Sequence, residues 1–163
     1  MPIIRTVLAL IFIVFLLLRS GCTTASERSK SDQCYTWVKT FFRMPLKEQL
    51  TQFGSYDVES QYDIFICGNQ VVHPPATYLA GPFAMEGESV VHFLKTKLLQ
   101  AKDDQTIRDV ILVFTEMSRR KTYDVARNSD LMVLITDSVA RIKDDDWRQI
   151  VAEEIRSAFG MGH

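Results

Sequence analysis

The 163-residue sequence predicts an all-α fold of about seven helices, packed as antiparallel hairpins behind an N-terminal targeting segment. Three observations lead there. From Cys34 onward apolar residues return at the i, i+3, i+4, i+7 spacing of amphipathic helices. No run of strict apolar–polar alternation argues for a strand. Most links between the apolar stripes are only a few residues long, which forces neighbouring helices antiparallel and yields stacked helical hairpins. With 47% hydrophobic and 24% charged residues, and only 7 Gly and 5 Pro, the composition excludes disorder and collagen-like repeats.

Taken in order, Cys34, Trp37, Val38 and Phe41 share one face of a first helix, which stops before Pro45 because proline disfavours the helical conformation in its predecessor. Val58, Tyr62, Phe65, Ile66 and Asn69 make the stripe of a second. Pro75 suits the first turn of a third helix running through Leu79 to about Glu86, where a missing amide hydrogen costs nothing. Gly87 interrupts it, and Glu88 opens a fourth whose buried face is Val90, Val91, Leu94 and Leu98.

Asp103 and Asp104 cap a fifth helix, which carries Ile107, Val110, Ile111, Phe114 and Met117. A loop over 118–127 leads to a cap at Asn128 or Ser129 and a sixth helix with Leu131, Leu134, Ile135, Val139 and Ile142. Asp144 caps the seventh, with Trp147, Ile150, Val151, Ile155 and Ala158 facing inward. None of these helices would persist alone in water, so each stripe must be covered by a neighbour.

The N-terminus reads as a leader. Arg5 precedes an apolar run from Val7 to Leu18, followed by Arg19-Ser20-Gly21-Cys22 and a polar stretch. At about 1.5 Å per residue that run covers roughly 20 Å, short of the roughly 30 Å hydrocarbon layer. Three fates are open: lipidation at Cys22, simple cleavage near Thr23-Thr24-Ala25, or retention as an uncleaved anchor. All three place the remainder outside the cytoplasm. The organisation expected is therefore a signal peptide or membrane anchor over 1–22, a polar tether over 23–33 and a helical domain over 34–163.

Leu18-Arg19-Ser20-Gly21-Cys22 resembles the lipobox of bacterial lipoproteins, whose cysteine becomes the lipid-modified N-terminus. Ser20 and Gly21 match the motif, whereas Arg19 stands where the family prefers an aliphatic residue. The resemblance implies lipidation at Cys22 and a place on the periplasmic side of a bacterial cell envelope. An oxidising compartment favours disulfides, and closing the loop between Cys34 and Cys67 would restrict the unfolded chain by about 3 to 4 kcal/mol. Two separate buried thiols acting as small hydrophobes remain the alternative.

The stretch from Leu79 to Met117 resembles a HEAT repeat. An apolar helix with Val90, Phe93, Leu94 and Leu98 leads through the acidic link Asp103-Asp104 to Ile107-Arg108 and a second apolar helix. In that family the link aspartate and the arginine bond across the hairpin or to its neighbour, which implies a structural pair at Asp104 and Arg108. It also implies a surface for binding other proteins. Size, export and helix content are similar, more distantly, to the small cysteine-bridged helical proteins that neutralise secreted cell-wall amidases.

Chemistry is sparse by comparison. The histidines are His73, His92 and His163, none with a credible partner set, and no local zinc, hydrolase or nucleotide motif is present. Glu88 and His92 stand one helical turn apart, two ligands without a third. Asp144-Asp145-Asp146 lacks the alternation of a calcium loop and reads as capping. Trp37, Phe41, Phe42, Phe53 and Tyr56 fall at core spacing.

Setting aside Arg5 and Arg19 leaves 17 of the 19 basic residues against 20 acidic ones, a formal balance of −3 that disfavours nucleic acid. The run Arg119-Arg120-Lys121 reads as a solvated loop. The expectation is thus a non-catalytic, membrane-associated module that binds a protein partner, without metal, cofactor or small-molecule substrate. The alternative is an immunity or inhibitor protein against a secreted cell-wall-degrading effector.

Overall fold

The computed structural model describes residues 25–160, with side chains from residue 31 onward. The segment expected to be a leader, 1–22 with Cys22, and His163 lie outside the described residues. The chain divides into two units, 1–36 and 37–163. Helix α1 (Ala25–Lys39) begins in the first, where the Thr36 hydroxyl donates to the Asp32 carbonyl at 3.0 Å. Residues 25–33, expected to form a tether without regular structure, are therefore helical. Ala, Glu, Arg, Lys and Gln in this stretch are strong helix formers, and no Gly or Pro interrupts them.

The second unit continues through α2 (Leu46–Phe53), α3 (Val58–Gln70), the short α4 (Ala80–Ala84), α5 (Val91–Gln100), α6 (Asp104–Arg120), α7 (Ser129–Ala140) and α8 (Asp145–Phe159). Single 3-10 turns at Phe41–Arg43, Thr77–Leu79, Gly87–Val90 and Val125–Arg127 connect them. Among the described residues there are eight α-helices and no strand, so the fold is all-α.

Four helices start on the same chemistry. The side chains of Asp57, Asp103, Asn128 and Asp144 accept from the backbone N–H of Ser60, Thr106, Leu131 and Trp147, each satisfying an amide that the first helical turn leaves orphaned. The Ser60 N–H and hydroxyl, both 2.9 Å away, hold the Asp57 carboxyl below the usual carboxylate range.

Helix α6 is the hub. It packs against α3, α4, α5, α7 and α8 and buries Ile107, Val110, Ile111, Val113, Phe114 and Met117. Aromatic side chains fill the space beside it, with Phe83 edge-on to Phe53 at 6.0 Å and to Phe65 at 6.1 Å. Phe41 and Phe53 are fully buried, while Trp37, Phe42 and Tyr56 pack half-buried against the core.

Two glycines are required by close approach or conformation. A Cβ at Gly68 would stand 2.6 Å from the Phe42 ring and 2.8 Å from Ala76, and the Ala76 N–H bonds the Gly68 carbonyl at 3.1 Å. Gly87 turns the chain at φ +60°, where a Cβ would stand 3.0 Å from the Thr122 carbonyl oxygen.

Beyond residues 25–33, the structure departs from expectation in several places: Phe41 and Glu88 lie in 3-10 turns rather than in the first and fourth helices. Pro75 does not open a helix: a 3-10 turn follows at Thr77–Leu79 and α4 starts only at Ala80. Helix α2, where no helix was expected, carries Leu46, Leu50 and Phe53 at i, i+4 and i+7, of which only Phe53 is buried. Helix α6 runs on to Arg120 and ends at Lys121 with φ 59°; Arg119 and Arg120 reach back to Glu116 at 3.1 and 2.9 Å instead of lying in a loop. Trp147 and Ile150, expected inward, are exposed. Cys34 and Cys67 are both disulfide-bonded.

Candidate functional site

Among the described residues, none of the groups considered for catalysis converges with others. His73, His92 and Glu88 are exposed, and among the described residues no cluster of three His, Cys, Asp or Glu could hold a metal ion. A shallow depression of about 360 Å³ is lined by Tyr123, Asp124, Arg127, Asn128 and Ser129. Its polar groups are already engaged: Arg127 pairs with Asp124 at 3.1 Å, and the Asn128 amide donates to the Tyr123 hydroxyl at 2.7 Å. No helix among the described residues is long and apolar enough to cross a membrane.

The most distinctive surface lies where α6 and α8 pack. Asp104 opens α6 and its carboxylate accepts from the backbone N–H of Lys143 and Asp144 at 3.0 and 3.1 Å, fixing the link that precedes α8. Asp144 in turn caps α8 through the Trp147 N–H. The first turn of α8 is thereby pinned to the start of α6, and Trp147 is delivered beside Arg108, whose guanidinium carbon lies 4.7 Å from the indole ring centre.

Arg108 is held from the other side. Its Nε and Nη2 donate to Asp109 Oδ1 at 2.9 and 2.6 Å. Adjacent residues on a helix ordinarily diverge by about 100°, so the arginine must curl back to reach its neighbour. Asp109 is fully buried. The Gln70 amide reaches its other oxygen at 3.5 Å and the Thr106 hydroxyl at 3.1 Å. Burial pushes the Asp109 carboxyl above its usual range, against the pull of the Arg108 hydrogen bond and charge and of Gln70.

The outcome is a chain of contacts, Gln70 to Asp109 to Arg108 to Trp147, that ends in a large indole 42% exposed. Ile150, one turn on and 57% exposed, extends it into a ridge. A cation stacked on an aromatic face gains about 0.5–1 kcal/mol at an exposed site. That is enough to favour one indole orientation without burying it.

The two residues expected to pair as HEAT-like hairpin partners, Asp104 and Arg108, therefore serve one junction through different neighbours. Asp104 holds the α7–α8 link, and Arg108 holds Asp109 and Trp147. Asp109 and the exposure of Trp147 and Ile150 were not legible in advance. The available signal was width: apolar residues of α8 from Trp147 to Phe159 cover roughly half the circumference at about 100° per residue, more than α6 and α7, its packing neighbours, can hide.

A smaller exposed ridge lies on α2, where Leu46 and Leu50 stand one turn apart. Between them Gln49 is buried, its amide donating to the Met44 carbonyl at 2.7 Å while its carbonyl oxygen accepts from the Tyr78 hydroxyl. No family model, curated protein or solved structure matches this chain.

Proposed function

We propose that this chain is a protein-binding module without catalytic activity, held at the periplasmic side of a bacterial cell envelope by its N-terminal segment, with Cys22 as the lipidated residue. The observation that carries the binding role is the Trp147–Ile150 ridge with Arg108 stacked beneath it. Tryptophan and arginine lead the residue types that dominate binding energy at interfaces. An indole already ordered by its neighbours loses little further entropy when a partner covers it. The formal balance of −3 beyond the leader argues for a protein partner over nucleic acid.

The test is site-specific photocrosslinking in the full-length chain in its own envelope, with a photoreactive residue at Ile150, at Leu46 or at Asp130, an exposed position in the first turn of α7. A discrete protein adduct at one of these positions, identified by mass spectrometry and competed by excess unlabelled chain, is the expected result. Failure to obtain a competed adduct at any of them removes the reading. In parallel, Cys22→Ala is expected to abolish the lipid mass on the mature N-terminus and to release the chain from membranes. Unchanged processing and membrane retention would remove the lipoprotein element alone.

The disulfide-bonded state of Cys34 and Cys67 favours a second reading, that of an inhibitor of a secreted cell-wall-degrading enzyme, since the small exported helical inhibitors it resembles are cysteine-bridged. Inhibition of a purified peptidoglycan amidase at stoichiometric ratio would support it, and amidase activity unaffected at tenfold excess would count against it.

A further inference from the structure

Resting on the binding-module reading, we infer that the Trp147–Ile150 ridge docks into an apolar cleft bordered by lysine or arginine side chains on its protein partner. The inference comes from the charges that flank the ridge and from those beside it that are already committed.

Asp146 precedes Trp147 and stands one turn before Ile150; it is exposed, with no ion pair among the described residues. Glu153 follows Ile150 by three residues, its side chain 76% exposed, and touches Arg156 only at 3.5 Å. Apart from Arg156, which reaches Glu153, the nearby arginines are engaged elsewhere. Arg108 is bonded to Asp109 and covered by the indole. Arg119 divides itself between Glu116 at 3.1 Å and Glu154 at 3.4 Å. Arg148 donates to the Ile142 carbonyl at 2.9 Å and to Asp145.

A helix dipole accounts for acidic residues in the first turn, Asp145 and Asp146, but its influence fades within that turn and does not reach Glu153. The ridge therefore presents an apolar centre between outward carboxylates. Other occupants fit less well. In a twofold pair of this face, Asp146 and Glu153 would oppose carboxylates of the same face across the symmetry axis, and an anionic lipid surface would repel them. A helix offering anchors at i and i+3 to a groove is an established recognition mode, and complementary rim charge sets its selectivity and association rate.

The experiment uses the full-length chain in zwitterionic nanodiscs and two fluorescent helical peptides of equal length. Both carry the same leucine face, flanked by lysines in one and by glutamates in the other. Fluorescence anisotropy at low salt is expected to show the lysine peptide binding at least tenfold tighter. Ile150→Ala should weaken it about tenfold. Asp146→Lys combined with Glu153→Lys should reverse the preference between the peptides. All these positions are exposed, and circular dichroism verifies that each variant keeps its helix content.

Equal affinity for the two peptides, no binding of either, or binding unchanged by Ile150→Ala would overturn the inference. These failures are separable from failure of the parent reading. A competed crosslink at Leu46 or Asp130 with none at Ile150 would leave a binding module whose surface lies elsewhere. Absence of any competed crosslink would remove both.

Discussion

Helices α6 and α8 begin and end alike, on an aspartate cap and a left-handed closing residue, Lys121 and Gly160, and differ in what surrounds them. Each is capped by an aspartate whose carboxylate accepts from an N–H three residues on, and each alternates apolar stripes with charge. Helix α6 is surrounded by five other helices and hides every large apolar side chain from Ile107 to Met117 except the half-buried Leu112. Helix α8 rests on α6 and α7, hides Val151, Ile155 and Phe159, and leaves Trp147 and Ile150 outside. The same periodicity therefore has two meanings. Which one holds depends on how many neighbours a helix has, a property of the assembled fold that the local sequence does not carry.

The largest test of this contrast is truncation at matched positions. Phe114→Ala, at a fully buried site in α6, is expected to cost about 3–5 kcal/mol through lost transfer energy and a cavity. Ile150→Ala in α8 should stay within about 0.5 kcal/mol, as for surface substitutions generally. Urea denaturation of both variants measures the difference directly. A cost above about 2 kcal/mol at Ile150 would mean that the ridge is part of the core, and the contrast would collapse.

The second test concerns the buried carboxylate that joins the two helices. Asp109→Asn keeps the shape and leaves the site neutral at every pH; because burial disfavours the charged form, it should match or exceed wild-type stability at neutral pH, by no more than about 2 kcal/mol, the scale of one interaction with a charged group. Its pH dependence sharpens the comparison. Burial raises the folded-state value of Asp109 above the ordinary 3.8, so the native state binds this proton more tightly than the unfolded chain does. The stabilising contribution is complete in acid and is lost as pH rises from about 4 through the folded value. Asp57 works oppositely: its lowered value gives a contribution present above 3.8 and lost as pH falls through the folded value. Urea midpoints for wild type, Asp109→Asn and Asp57→Asn between acid and neutral pH should show limbs of opposite sign.

These cases also mark how much was legible in the sequence. The helical class, the caps at Asp103, Asn128 and Asp144, and the buried stripe of α6 follow from local rules, because capping and periodicity are decided within a few residues. The 3-10 turns and short α4 are decided by packing, as where Gly68 admits Phe42 and Ala76. Of the site, Asp104 and Arg108 were found by motif and Asp144 by capping. Asp109 was not, since a charged residue next to an apolar stripe reads as solvent-facing until Gln70 from α3 and the curled Arg108 enclose it.

Caps provide a third, smaller test. Asp103→Ala and Asp144→Ala remove equivalent N–H acceptors and are each expected to cost about 1 kcal/mol. Near-equal values would place the difference between α6 and α8 in their surroundings rather than in their ends. A cost at Asp103 more than about 1 kcal/mol above that at Asp144, measured by the same denaturation, would place it in the starts of the helices.

A small stability effect is also expected at Trp147, which is 42% exposed. Trp147→Ala removes a half-exposed indole whose direct partner is Arg108, and the stacking is worth about 0.5–1 kcal/mol. Because Arg108 keeps both bonds to Asp109, the fold should lose no more than about that amount. Trp147→Phe keeps an aromatic face and should recover part of it. A ring retained for packing would show a core-sized loss in denaturation that Trp147→Phe restores. A ring retained for recognition leaves denaturation nearly flat, while the crosslinked adduct at Ile150 falls at least tenfold. The two readouts together decide whether the apolar surplus of α8 is unfinished core or a surface made for a partner.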